Sequence, residues 1–365
     1  MIKPSIVTIP HFKFYNKQDL LYLTRLRRFE TKLGERLLVV NDPEQFEEKL
    51  SKTTAKYILF GIPEDIGVKA NYGRGGADSA WLPFLTAFLN IQSNDFMTGE
   101  EILLLGHFDF GDLQYLIENH ARSEEEKIDA YRHAVSQIDG EVEALARQIQ
   151  TAGKIPIAIG GGHNNAYPLI KGSAKGLLKS GRLPLAQINA INLDAHTDFR
   201  PAEGRHSGNG FRYAEEDGYL QKYCVIGAQE NYIPQNVWVD FVNNPFLDLV
   251  TFEDIFLHEK RHFMQAVAHA SNFVDDNWCG IELDLDVVEN TLSSAVTPSG
   301  VTAANARQYL NFVAMDLKPA YLHICEGASQ LSDGRKSDNT GKLIAYLVSD
   351  FVKARNSVGG LGRTP

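Results

Sequence analysis

Short apolar runs alternate with longer segments of helical periodicity along most of this chain. Short apolar runs are typical of buried strands, whereas apolar residues spaced three and four apart indicate helices. The predicted strands lie at 56–60 and 102–105 and near 155, 188, 223, 249, 279 and 321. The predicted helices lie at 123–153, 165–178, 254–272, 302–316 and 340–355. This alternation predicts an α/β fold, a three-layer α/β/α sandwich whose central sheet is mostly parallel.

The clearest helical pattern begins after Ser123 and ends at Gly153. Ser123 and Glu126 have the spacing of a capping box, in which two side chains satisfy free N–H groups at a helix start. The apolar residues that follow at helical spacing are Ile128, Tyr131, Val135, Ile138, Val142, Leu145 and Ile149. We interpret this stripe as a packing face, against the sheet or a sister subunit.

No internal repeat or low-complexity linker divides the chain. We therefore expect one domain over residues 1–365. Residues 13–53 are rich in charges with scattered apolar residues, so we expect 1–53 to be an N-terminal helical extension. The tail from Ser357 to Pro365, which contains Gly and Arg, is expected to be mobile.

Composition narrows the class of protein. The 365 residues include 36 basic and 46 acidic side chains, a formal net charge of -10 without a basic tract, so nucleic acid is not an expected partner. No apolar run approaches the roughly 18 residues of a membrane span, and we see no charged-then-apolar signal at the start. Cys224, Cys279 and Cys325 lie far apart in predicted strands, which indicates buried free thiols. We expect a cytoplasmic protein with no membrane partner.

The first candidate chemistry follows the predicted strand near residue 188. Asp194, His196 and Asp198 come directly after the largely apolar run 190–193. Alternate residues of a strand share a face, so these three side chains would project together. Carboxylate and imidazole ligands together suit Mn²⁺, Zn²⁺, Ni²⁺ or Fe²⁺. The alternative is a turn in which Asp and Thr cap a helix beside a surface His.

Two more predicted strands end in residues that bind metals. The strand near 155 runs into three glycines and His163, and the strand near 279 runs into Asp284 and Asp286. Because ligands bind at the carboxyl ends of strands in open α/β sheets, we expect all three segments to converge. Four carboxylates and two imidazoles are too many for one tetrahedral zinc, but enough for two metals that share bridging carboxylates.

These three segments resemble those of the ureohydrolases, the family of arginase, agmatinase and formimidoylglutamase. The family pattern is Gly-Gly-x-His, then Asp-Ala-His-x-Asp, then Asp-x-Asp, and all three occur here in that order. Residues 61–67 and 73–77 resemble the family's early glycine-rich segment, and residues 109–112 resemble its Asp-x-Gly-Asp turn. The resemblance covers most of the chain after about the first 50 residues. It implies the family's fold and its binuclear metal centre.

The resemblance also implies a role for each ligand. Each metal would have two terminal ligands, and two carboxylates would bridge: His163 and Asp198 on one metal, His196 and Asp286 on the other, Asp194 and Asp284 between them. The family's metals are usually Mn²⁺, although Ni²⁺ or another divalent ion is compatible, and a hydroxide held between them is the nucleophile. Asp198 would also take the proton of that hydroxide. Glu326, after the predicted strand near 321, would pair with the amidine or guanidinium cation of the substrate; the alternative is a helix-capping carboxylate.

The residues after Asp198 carry the information about the substrate. Arg200 resembles the Arg of the formimidoylglutamase pattern Asp-Leu-Arg, whereas arginases have Asn there. An Arg near the site suits a substrate carboxylate. Ser207 and Asn209 keep the family's loop, and we expect them, with Arg200, to bind the substrate. Phe211 stands where arginase and agmatinase have a proton-shuttling His.

Two further residues near the site have open roles. His206 is close in sequence to the missing shuttle position, and we expect an exposed loop His. Glu64 either lines the site or caps a loop.

The leading hypothesis is a hydrolase that cleaves a C–N bond of N-formimino-L-glutamate to give L-glutamate and formamide, as in histidine metabolism. One alternative is another ureohydrolase, which releases urea from arginine, agmatine or a guanidino acid. Two others are a non-catalytic, metal-stabilised scaffold and a deacetylase-like zinc hydrolase with one metal. The resemblance also implies a homo-oligomer.

Overall fold

Ten strands form one sheet in this computed structural model, which describes residues 9–358. The strands are β1 (Phe12–Phe14), β2 (Leu38–Val39), β3 (Tyr57–Gly61), β4 (Ile102–Phe108), β5 (Ile155–Ile159), β6 (Ile188–Leu193), β7 (Leu220–Ala228), β8 (Leu247–Thr251), β9 (Trp278–Asp284) and β10 (Lys318–Cys325). Their order across the sheet is β1-β4-β3-β5-β10-β9-β6-β7-β8, and β2 also pairs with β4. Every pairing is parallel except that of β1 with β4.

Helices cover both faces of this sheet. The α-helices are α1 (Lys17–Leu23), α2 (Leu33–Arg36), α3 (Phe46–Lys52), α4 (Ile66–Ala70), α5 (Trp81–Leu89), α6 (Gly111–His120), α7 (Glu124–Thr151), α8 (Ala166–Lys179), α9 (Gly210–Glu216), α10 (Gln235–Asn243), α11 (Phe252–Phe256), α12 (Phe263–Val274), α13 (Ala303–Asp316) and α14 (Thr340–Val358). Successive strand residues point to opposite faces, so Ile157 and Ile159 join the core beneath α5 and α12 to α14, and Ala158 joins the core beneath α7 to α10. The fold is the predicted α/β/α sandwich with a mostly parallel sheet.

All eight predicted strands are present, and five predicted helical segments are helical in most of their length. The segment predicted as one helix over 254–272 is two helices, α11 and α12. Glu259 between them has a φ of 49°, a left-handed conformation that ends a right-handed helix. Residues 13–53, expected to be a helical extension, contain three short helices and also most of the strand β1 and the strand β2, which the sequence did not indicate. Of the tail that was predicted to be mobile, Ser357 and Val358 belong to α14, and the residues after Val358 lie outside the described part of the chain.

The long helix α7 packs against α8 and the sheet. Its predicted apolar stripe is buried along the whole length. Ser123 Oγ accepts the N–H of Glu126, whereas the Glu126 carboxylate accepts from Arg122 N, so only half of the expected capping box forms. The contact with α8 is close because Gly172 faces α7: a Cβ there would lie 2.5 Å from Glu143 O. Among the helices of residues 9–358, none combines the length and apolar character needed to cross a bilayer.

Candidate metal and substrate site

Four adjacent strands end at the same edge of the sheet, in the order β5, β10, β9 and β6. The loop after β5 carries His163, β10 is followed by Glu326, β9 ends in Asp284, and β6 is followed by Asp194. The strands are neighbours and parallel, so their carboxyl ends bring these side chains together. The convergence expected from the sequence is what the topology produces.

The six side chains expected to bind metal form two groups of ligand atoms that share Asp194. In one group, His163 Nδ1 lies 2.8 Å from Asp198 Oδ2 and 3.2 Å from both Asp194 Oδ2 and Asp284 Oδ2. In the other group, His196 Nδ1 lies 3.0 Å from Asp286 Oδ2 and 3.6 Å from Asp194 Oδ1. Within each group the potential ligand atoms lie within 4.8 Å of one another.

The donor atoms fit divalent cations. Both ring nitrogens of His163 and Oδ1 of Asp286 are buried and have no partner with hydrogen-bond geometry anywhere in residues 9–358, although carboxylate oxygens lie 2.8 Å from Nδ1 and 3.4 Å from Nε2 of His163. Burial, with the charge of Asp194, raises the pKa of Asp198 to about 6. Burial also raises the pKa of Asp284 well above its usual range, and Asp286 and Asp194 add to that rise. Buried, mutually repelling carboxylates beside unpaired imidazole nitrogens are the arrangement that a bound cation stabilises.

Two residues of this cluster have backbone conformations that are uncommon outside glycine. The φ angle is 45° at Asp198 and 60° at Glu326. Left-handed conformations of this kind cost of order 1–3 kcal/mol and persist where the surroundings enforce them. Both residues were candidates for catalysis from the sequence alone.

Glu326 lines a cavity next to the candidate metal ligands and is 4 % exposed. Its Oε1 accepts the backbone N–H of His163 at 3.0 Å, and its Oε2 accepts the hydroxyl of Ser294 at 3.4 Å. Burial raises the pKa of Glu326 to about 8, and the charges of Asp286 and Asp198 add to the rise. A cation that enters the cavity and pairs with Glu326 would therefore stabilise its ionised form.

The loop that carries His163 is held by the Glu64 carboxylate. Gly161, at a φ of 76°, has no room for a side chain, because a Cβ would lie 2.6 Å from Ile62 O. Oε1 of Glu64 accepts from Gly162 N at 3.0 Å and from Asn165 Nδ2 at 2.7 Å. Of the two roles open for Glu64 in the sequence, loop capping is the one seen.

A buried carboxylate that the sequence analysis missed lies behind His163. Oε2 of Glu282 is 3.4 Å from His163 Nε2 and 2.7 Å from His323 Nδ1, and its Oε1 accepts the Tyr321 hydroxyl at 2.5 Å. Burial opposes ionisation of Glu282, yet His323 and His163 lower its pKa to about 2. A carboxylate close to the far nitrogen of a candidate metal-binding His favours the ring orientation that leaves the near nitrogen for the metal. Its one sequence signal was a Glu at period two before Asp284.

The cavity above these groups has a volume of about 550 Å³. Candidate residues that line it are His196, Asp198, Arg200, Ser207, Asp284, Asp286 and Glu326. Arg200 is at the rim, where its Nη1 donates to Asn71 Oδ1 and its Nη2 to Glu203 Oε1, both at 2.9 Å. Ser207 lies beside it. Four of the six predicted metal ligands thus face one space together with Arg200, Ser207 and Glu326.

Two loop residues lie elsewhere than expected. Asn209 does not line the cavity: it is fully buried, its Oδ1 accepts from Arg205 Nη1 at 2.9 Å, and its Nδ2 donates to Gly204 O at 2.8 Å. His206 was expected to be exposed but is fully buried, because the loop folds inward against α7. Phe211 is also buried, with its ring edge-on to His163 at 5.1 Å between centroids.

Arg205, which the sequence did not single out, fixes this loop to the rest of the site. Its Nε and Nη2 donate to the two oxygens of Asp139 on α7, at 2.8 and 3.2 Å. Nη2 also donates to Asn164 O at 2.8 Å, next to His163. One buried guanidinium therefore links the loop after β6 to α7 and to the loop that carries His163.

Known proteins match this chain over most of its length. A family model described as the Arginase family matches residues 55–352. The formimidoylglutamase of Streptococcus gordonii is 29% identical over 181 residues, 48% of this chain and 47% of that protein. The chain thus aligns with about half the length of that relative. The formimidoylglutamase of Enterobacter sp. is 29% identical over 281 residues, 75% of this chain and 76% of that protein.

Solved structures share the fold. The structure of Trypanosoma cruzi formiminoglutamase with Mn²⁺ superimposes with a TM-score of 0.66 at 18% identity, covering 89% of this chain and 98% of that one. The formimidoylglutamase structure from Bacillus subtilis gives a TM-score of 0.67 at 17% identity, covering 93% and 99%. The family model extends over far more than half of the sequence and includes every candidate ligand. The chain belongs to the arginase family of hydrolases.

Proposed function

We propose that this chain is a binuclear metal hydrolase that cleaves the C–N bond of N-formimino-L-glutamate, giving L-glutamate and formamide. The observation that carries the proposal is one cavity that joins the His and Asp cluster, the buried Glu326 and the rim guanidinium of Arg200. The relatives named formimidoylglutamase support the same substrate.

The metals would be two Mn²⁺ ions, the metal named with the T. cruzi structure. The six proposed ligands are His163 and Asp198 for one ion, His196 and Asp286 for the other, and Asp194 and Asp284 as the shared carboxylates. Two divalent cations would lower the pKa of a shared water and polarise the group it attacks. Carboxylate and imidazole donors suit Mn²⁺ and also accommodate Ni²⁺.

The protein's own groups would bind the amidine and move its protons. Glu326 is proposed to pair with the protonated amidine, which places the carbon to be attacked beside the cluster. Asp198, 2.8 Å from His163 and facing the cavity, is proposed to accept the proton of the attacking water. It would return that proton to the glutamate nitrogen as the C–N bond breaks. The second proton of the water would leave the hydroxyl group as the C=O bond of formamide forms and would protonate the released amine, so that both protons of the water end on the ammonium group of L-glutamate.

The other end of the substrate carries carboxylates, for which Arg200 is the proposed partner. A guanidinium presents two parallel N–H donors that match a carboxylate. Ser207 lies beside it on the cavity wall and would add a hydroxyl donor. Asn209 is not proposed as a direct substrate contact, because its amide already hydrogen-bonds to Arg205 and Gly204.

Product analysis tests the proposal. Mn²⁺-loaded protein is incubated separately with formiminoglutamate, arginine, agmatine and guanidinobutyrate, and glutamate, formamide and urea are quantified. Glutamate and formamide from the first compound alone are expected. Urea from a guanidino compound would keep the hydrolase but reject the substrate, and absence of any product from all four would reject the enzyme.

We also propose a cytoplasmic homo-oligomer. The three cysteines are buried free thiols, which suits a reducing compartment. On and just after α10, the apolar side chains of Trp238, Val239, Val242 and Phe246 are 44 to 62 % exposed, a feature common at subunit contacts. Light scattering coupled to gel filtration measures the mass directly, and a monomer at micromolar concentration would reject the oligomer.

A further inference from the structure

The carboxylate of Glu203 lies among three basic side chains at the rim of the cavity. Its Oε1 is 2.9 Å from Arg200 Nη2, 3.3 Å from His206 Nε2 and 3.8 Å from Arg132 Nη2. Arg132 comes from α7, whereas the other residues belong to the loop after β6. Basic groups from α7 and from the loop after β6 thus lie around one oxygen atom.

His206 shows that this cluster accommodates an anion. The ring is fully buried, and its Nδ1 accepts the backbone N–H of Gly208 at 3.1 Å. In a neutral imidazole one nitrogen accepts and the other carries the hydrogen, so Nε2 is the donor. Among residues 9–358, Nε2 has no partner with hydrogen-bond geometry, although Oε1 of Glu203 lies 3.3 Å away. A buried N–H group that makes no hydrogen bond therefore lies close to the position of the carboxylate.

The Glu203 side chain can leave this position without moving its backbone. Arg132 Nη1 donates to Glu203 O at 2.8 Å, and the Tyr213 hydroxyl accepts from Gly204 N at 3.1 Å. The adjoining Arg205 is held by Asp139. The Glu203 side chain itself is 43 % exposed and lines the cavity. Rotation about its χ angles would uncover the three donors while the loop stays fixed.

We propose that Arg200, Arg132 and His206 form a carboxylate subsite, and that Glu203 occupies it until a substrate carboxylate displaces it. The inference rests on the proposed function, because it assigns the part of the site that would bind the acidic end of the amidine. Glu203 is then a specificity-determining residue: substrates without a carboxylate leave it bound to Arg200, and only acidic substrates gain by displacing it.

Direct binding of a dicarboxylate tests the subsite apart from catalysis. Glutarate is titrated into Mn²⁺-loaded wild type and E203Q by calorimetry. The control is E216Q, which makes the same charge change at an exposed position on α9. Displacing an exposed ion pair changes an equilibrium by about 1.4- to 5-fold. E203Q should therefore bind glutarate tighter by about that factor, and E216Q should match wild type.

The same ratio should appear in KM for the acidic amidine, with kcat unchanged. Equal or weaker glutarate binding by E203Q would overturn the subsite, as would failure of both proteins to bind glutarate. A higher KM of E203Q for arginine or agmatine would also overturn it, because Glu203 would then bind a substrate cation. If wild type cleaves no amidine while E203Q still binds glutarate more tightly, the proposed function fails and the subsite stands.

Discussion

Replacing Arg205 with glutamine should destabilise the protein far more than the same replacement at Arg307. Both guanidinium groups make two hydrogen bonds to one carboxylate: Arg205 to Asp139 at 2.8 and 3.2 Å, and Arg307 to Asp350 at 2.6 and 3.1 Å. Burial separates them, because the Arg205 side chain is 5 % exposed and that of Arg307 is 46 % exposed. The two pairs are thus matched in geometry and differ in solvent access.

The expected cost follows from that difference. Removing one partner of a buried ion pair costs about 3–5 kcal/mol, because the remaining charge is left without compensation. An exposed pair contributes about 0.2–1 kcal/mol. We expect R205Q to lower the free energy of unfolding by about 3–5 kcal/mol and R307Q by at most about 1 kcal/mol. The double variant R205Q/D139N should recover part of the loss, since it removes the stranded carboxylate.

Urea titration of the metal-free proteins measures these differences. A second readout is Mn²⁺ affinity: R205Q should weaken it, because Arg205 holds Asn164 O next to His163, and R307Q should leave it unchanged. Equal destabilisation by R205Q and R307Q would refute the argument from burial. A double variant less stable than R205Q would show that Asp139 has favourable contacts beyond this arginine.

Three further outcomes are expected. D284N should remove Mn²⁺ and activity together, measured by elemental analysis after dialysis; full activity would contradict the proposed centre. E282Q keeps the shape of the side chain but loses the charge behind His163, so Mn²⁺ should bind about 10- to 100-fold more weakly, and unchanged affinity in a metal titration would contradict this role. G172A gains helix propensity of up to about 1 kcal/mol. It also places a Cβ 2.5 Å from Glu143 O. The cost of this crowding, about 1–3 kcal/mol, should exceed the gain in helix propensity and lower stability to urea. A more stable variant would contradict this.

The proximity of the candidate metal ligands was predictable because these residues follow apolar strands. His163, Asp194 and Asp284 each stand at a strand end, and parallel strands place those ends at one edge. Asp286 and Asp198 come with them through short local spacing. The local sequence therefore identified the candidate ligands, and the order of the parallel strands brings them together.

The supporting residues were not predictable in this way. Glu64 binds a backbone group 98 positions away, Arg205 binds Asp139 66 positions away, and Glu282 binds His323 41 positions away. Each is a single charged residue whose role depends on a distant partner, so the local sequence offered little: two open roles for Glu64, a position two before Asp284 for Glu282, and no signal for Arg205. The burial of Asn209 and His206 was not predicted, because it too depends on contacts with residues distant in the sequence.

Secondary structure was missed where the local pattern was short or uniform. The strands β1 and β2 have three and two residues, which is too few for any periodicity. Helix α5, Trp81–Leu89, is apolar on nearly all sides and contains Pro83, so it lacks the polar face that marks an amphipathic helix. The helix packs against α14 and buries Trp81, Phe84, Leu85, Phe88 and Leu89, which accounts for much of this apolar composition.

The place of β10 in the sheet has a consequence for how the protein is made. Among the strands of residues 9–358, it comes last in the sequence, yet it lies between β5 and β9 and is the sole link between the two halves of the sheet. Until residues 318–325 leave the ribosome, β5 and β9 are open edges, which are prone to pair with other chains. The complete sheet therefore forms only after residues 318–325 have been made, and slow passage through the earlier stage should favour aggregation or chaperone binding.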